Sequence, residues 1–136
     1  MLGAQPQWLG VQVAWHDRLV AWPPTIGEPL PRADQVWYEP VKLEDWILAQ
    51  RDHGEDWLRV FHVELEDRDQ LWEAIVAAVQ GAPVTTVRDR GANGIVCGVE
   101  VELTIRERTA PVTISWHYET EGAEPRLVTA YVSLYD

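Results

Sequence analysis

The chain has 136 residues, 46% of them hydrophobic and 24% charged, which is enough for one domain around one core. Its formal net charge of −11 works against docking on DNA or on an anionic membrane and suits a basic protein partner. A lone cysteine excludes an intramolecular disulfide, no run of about 18 apolar residues reads as a membrane span, and the first residues lack a signal-peptide pattern, so the expected location is the cytoplasm.

Residues 1–29 read as an N-terminal hairpin or arm. Val11, Val13 and Trp15 alternate with polar or small residues, His16-Asp17-Arg18 interrupts, and Leu19 to Trp22 resumes the apolar run. Four prolines and Gly27 between Pro23 and Pro31 then predict a loop or extended segment. The first helix is expected over Val41–Gln50, entered through Pro40, with Leu43, Trp46 and Ile47 on one face. A second is expected over Asp56–Val63, with Trp57, Leu58 and Phe61 inward. The third starts at Asp67 or Asp69, carries Leu71, Ile75 and Val79, and stops at Gly81 and Pro83.

From Val84 the hydrophobic period changes to two. Val84–Arg88, Ile95–Ile105, Pro111–His117 and Arg126–Leu134 are predicted strands, separated by turn-rich stretches such as Gly91-Ala92-Asn93-Gly94. Val99, Val101, Leu103 and Ile105 share one face of the second strand, and Glu100, Glu102, Thr104 and Arg106 the other, so one face packs and one meets water. The expected fold is α+β, with about three N-terminal helices on a C-terminal antiparallel sheet of about four strands, preceded by the extra hairpin or arm.

No motif announces a reaction. His16, His53, His62 and His117 fall in four different elements without metal-ligand spacing, so neither a metal nor a cofactor is expected. Cys97 lies in an apolar strand, where it reads as a small core residue. Ser115 and Ser133 lack a nucleophile-elbow context. General acid–base chemistry remains. Metal-free RNA cleavage needs a base for the 2′-hydroxyl, an acid for the leaving oxygen and a cation for the phosphorane. His117, Arg126, Thr129 and Tyr131 on the last strands supply such groups. Strict alternation puts Arg126 on the face opposite Thr129 and Tyr131, and only a bulge would unite them.

Two segments carry a resemblance. Leu30-Pro31-Arg32-Ala33, followed by Lys42-Leu43-Glu44-Asp45-Trp46-Ile47-Leu48, resembles an L-P-N-A … K-L-x-x-Y-L-L opening. Pro125-Arg126-Leu127-Val128-Thr129-Ala130-Tyr131 is similar to a P-R-L-V-T-A-Y ending, with Trp116 matching a tryptophan shortly before it. Both segments occur in a bacterial domain family of unknown function, found as short stand-alone proteins and at the C-termini of polymorphic and contact-dependent-inhibition toxins. The resemblance covers about residues 30–136. Its toxin-terminal members look like metal-independent ribonucleases of the barnase–EndoU–colicin–RelE type.

The resemblance implies a toxin-like domain over residues 30–136 with an RNA-cleaving site on its sheet. The candidate catalytic residues are His53, Arg126, Thr129 and Tyr131, with Arg51, Arg59 and His117 as alternates. The family's H-P-V-G-x-x-K-A-x-F-F stretch meets Arg51 to Phe61 here, so its histidine falls on Arg51 and its lysine on Trp57. A remodelled or degenerate ribonuclease site is therefore one expectation. The other is a catalytically inactive, acidic, immunity-like module that binds a protein: a cognate antitoxin, toxin or immunity protein. RNA is the candidate substrate; neither DNA nor membrane is an expected partner.

Overall fold

The period-two half of the chain folds into one antiparallel sheet in the order β1-β2-β3-β4, made of β1 (Val84–Asp89), β2 (Ile95–Ile105), β3 (Arg108–Tyr118) and β4 (Arg126–Val132). This is a computed structural model that describes residues 22–47 and 55–133. The hairpin expected within the first 21 residues, and both Arg51 and His53, lie outside the described residues.

Alternation sorts the sheet into two faces. Cys97, Val99 and Leu103 of β2, Val112, Ile114, Trp116 and Tyr118 of β3, and Leu127 and Ala130 of β4 are fully buried on the inner face. Glu100, Glu102 and Thr104 are exposed on the outer face. The inner face is covered by one regular helix. Its four-residue spacing of Leu71, Ile75 and Val79 buries all three at 0% exposure. This helix, Arg68–Val79, packs on β2 and ends before Gly81, whose φ of 76° suits a residue without a side chain.

Ahead of it stand two helical turns, α1 (Lys42–Ile47) and α2 (Trp57–Phe61), so the regular helix is α3. Both turns are wound wide, as π-type helix, rather than as the ordinary helices the sequence pattern suggests. The described residues thus form an α+β fold with one helix of three turns. The described residues of neither turn recover the cost of helix nucleation from their own hydrogen bonds. Burial holds them instead: Leu43 and Ile47 from α1, and Trp57 and Phe61 from α2, are all at 0% exposure. Residues 26–30, expected as loop, pair with the start of β1 through Ile26 opposite Val84 and Pro29 opposite Pro83.

The β2–β3 hairpin turns on Arg106-Glu107, with Arg106 at φ 59° where glycine or asparagine is usual. Its guanidinium repays the conformation by reaching the His62 carbonyl at 3.1 Å, Gln70 at 2.7 Å and Asp67 at 2.9 Å, which ties the hairpin tip to the helical layer.

Two buried acids make the core sensitive to alkali. Burial pushes the Cys97 thiol up to about 12 from an ordinary 9.0. Burial, with the neighbouring Cys97 adding to it, also raises the Tyr118 phenol, whose hydroxyl donates to the Pro31 carbonyl. Both groups favour their protonated forms in the folded chain, so their contribution to stability is whole below the unfolded-state pKa and is lost as pH rises through the folded one. Urea unfolding is expected to show stability falling steadily from about pH 9 towards pH 12. Cys97→Val should flatten that fall.

Candidate functional site

The pairing of β3 with β4 decides which candidates meet. Ser115 stands opposite Thr129, yet Trp116 stands opposite Leu127, so Val128 is an extra residue on β4. This bulge reverses the alternation between Leu127 and Thr129. Below it Thr113 pairs with Tyr131, and above it His117 pairs with Arg126. Cross-strand partners project to the same side. His117, Arg126, Thr129 and Tyr131 therefore share the outer face, although strict alternation would have split them.

Arg126 and His117 also share a groove of about 490 Å³, lined by Trp37, Glu39, His117, Glu119, Ala123, Glu124 and Arg126. Residues 37–39 reach it because Trp37 pairs with the start of β4: its N–H donates to the Pro125 carbonyl at 3.1 Å, and the Leu127 N–H donates to its carbonyl at 2.9 Å. Trp37 is 42% exposed. Tyr38 turns inward against Trp72, with ring centroids 4.6 Å apart. Glu39 turns outward again and places Oε1 3.4 Å from Arg126 Nη1.

The hydrogen bonds identify the histidine tautomer. A guanidinium can only donate, so His117 Nδ1 accepts from Arg126 Nη2 at 3.3 Å. Nε2 then carries the proton and donates to the Asn93 carbonyl at 2.7 Å. That carbonyl belongs to the Gly91–Asn93 turn between β1 and β2. Gly94, next along, lets the turn close over His117: a Cβ there would stand 2.9 Å from Nε2 and would collide with the Tyr118 carbonyl.

The site is thus a chain from the Asn93 carbonyl through His117 and Arg126 to Glu39. Its outer link is weak. The Arg126–Glu39 pair is partly solvated, with the two side chains 29% and 51% exposed, so it contributes at most about 1 kcal/mol and opens readily. A phosphate in the groove would draw Arg126 away from both neighbours. Glu39 and His117 Nδ1 would then be free to accept protons.

The remaining candidates fall elsewhere. Thr129 and Tyr131 lie further along the outer face and do not line the groove. Arg59 sits on α2, over the inner face, and pairs with Asp56 at 2.8 Å. Trp57 is fully buried, with its Nε1 donating to the Ala130 carbonyl. Trp116 is also core. Glu39, Trp37 and Asn93 were not legible as site residues; the one local hint is Pro40, which holds the preceding residue extended.

No cluster of three or more metal-binding side chains occurs among the described residues, and none of their helices is long and apolar enough to cross a membrane. Compared with known protein families, curated proteins and solved structures, the chain matches none.

Proposed function

We propose that this protein is a toxin-related domain that cleaves RNA without a metal, at the groove between β3, β4 and the Trp37–Glu39 segment. The observation that supports it is the Val128 bulge, which gathers an imidazole and a guanidinium on one face beside the Glu39 carboxylate. Arg126 leaves Glu39 and His117 to grip the scissile phosphate. Glu39 removes the 2′-hydroxyl proton, and the 2′-oxygen attacks phosphorus. His117 takes a proton from solvent on the Nδ1 that Arg126 has left and delivers it to the departing 5′-oxygen, and Arg126 neutralises the phosphorane. Trp37 offers a face on which a base can stack. RNA is the substrate and the cytoplasm the site of action in this scheme, and the site is a remodelled one because Trp57, where the resemblance implies a lysine, is buried away from the groove.

The test is cleavage of total tRNA and rRNA in the presence of chelator. His117→Ala is expected to lose about 10²–10⁴-fold in rate and Arg126→Ala about 10²–10³-fold. Wild-type protein that leaves both RNAs intact, or variants that cut equally well, would sink the proposal.

One observation favours a second reading. The groove holds Glu39, Glu119 and Glu124 against one arginine and one histidine, in a chain of net charge −11. Those carboxylates suit lysine and arginine side chains of a basic partner, such as a cognate toxin, antitoxin or immunity protein. Reversing Glu119 and Glu124 to lysine separates the two readings. It should strengthen RNA cleavage if RNA is the ligand, and abolish complex formation if a basic protein is.

A further inference from the structure

Arg88 is exposed on β1 and has no hydrogen bond or ion pair among the described residues. Its register gives it a place in the site. Arg88 stands opposite Val96, Val96 opposite His117, and His117 opposite Arg126. These four residues form a single row across the outer face of all four strands. With strands about 4.8 Å apart, the Arg88 backbone lies about 10 Å from that of His117 and about 14 Å from that of Arg126.

Val96, half-buried between the two basic ends, supplies an apolar step for a ribose or base edge. The adjoining row runs Thr86, Gly98, Ser115, Thr129. It offers three hydroxyl donors, and Gly98 leaves it low at β2, where a Cβ would run into Thr86 Oγ1. No other unpaired arginine shares this alignment. Arg90 lies past the end of β1, and Arg108 starts β3 at the opposite end of the sheet.

We infer that Arg88 forms a second phosphate subsite, which holds the phosphate next to the scissile one in a single RNA strand laid across the sheet from β4 to β1. The inference rests on the cleavage reading for its substrate class. In a chain this acidic, one added phosphate contact weighs heavily in holding a polyanion.

The experiment compares a dinucleoside monophosphate, which has only the scissile phosphate, with a hexanucleotide containing the same step. Arg88→Gln should lower kcat/KM on the hexanucleotide about tenfold, the loss of one charge-assisted contact, and leave the dinucleotide rate unchanged. The slope of log affinity against log salt for the hexanucleotide should shrink by about 0.7, the value for one single-strand phosphate contact. Arg88→Lys should restore that slope. Equal losses on both substrates, or an unchanged hexanucleotide, would overturn the subsite. If the wild type cuts neither substrate, the cleavage reading fails on its own. A 2′-O-methyl hexanucleotide titrated by fluorescence anisotropy then decides the subsite: the same change in slope upholds it, and no change ends it.

Discussion

Replacing Gly94 by alanine is expected to cost at least about 3 kcal/mol of stability and to silence the groove at the same time. Gly94 has φ 89° and ψ −160°, a region that is almost closed to residues with a side chain. Its Cβ would also run into the Tyr118 carbonyl and approach the Glu119 carbonyl at 3.1 Å, and backbone atoms in a paired sheet cannot step aside as a side chain can. The same methyl would press on His117 Nε2, breaking the ring's bond to Asn93. Gly122→Ala is the control. Gly122 also has positive φ, 79°, but nothing lies within 4 Å of an added Cβ, so about 1 kcal/mol is expected. Urea unfolding of the two variants measures the difference, and similar losses would show that the close approach at Gly94 is unimportant.

Trp57→Ala should be as damaging, at about 3–5 kcal/mol, because it empties the largest side-chain volume between α2 and β4. The ring stacks on Phe61 with centroids 5.3 Å apart, and a turn of five residues has little else to hold its winding. Trp57→Phe keeps most of the packing and loses only the long bond to Ala130, 3.4 Å, so about 1–2 kcal/mol is expected. Thermal melts of the pair test the assignment. An alanine variant that melts with the phenylalanine variant would mean that α2 does not depend on this side chain.

The strands were legible because the inner faces of β2 and β3 repeat every second residue over a long run, from Cys97 to Ile105 most clearly. The third helix was legible because Leu71, Ile75 and Val79 recur every four residues between clear stop signals. Leu43 and Ile47, like Trp57 and Phe61, are also four apart, and that spacing is shared by ordinary and π-type winding, so the pattern did not report the winding. The third strand begins at Arg108, earlier than expected, because a two-residue turn sufficed without glycine once Arg106 could reach Asp67 and Gln70.

The site was legible by residue type but not by arrangement. His117 and Arg126 stood out as titratable or cationic groups on strands. Val128, which decides their grouping with Thr129 and Tyr131, is a β-branched apolar residue that fits an unbroken strand equally well. Glu39 meets Arg126 across 87 positions of chain, a separation that no local pattern reports.

The Val128 bulge also bears on how such a site can change over generations. Paired in plain alternation with Val128 in line, the strand would put Arg126 on the opposite side of β4 from Thr129 and Tyr131, whereas deleting the Val128 codon leaves a plain strand in which all three still share one face. Loss of that residue therefore leaves the constellation whole, while one further residue inserted beside it without a second bulge would divide it.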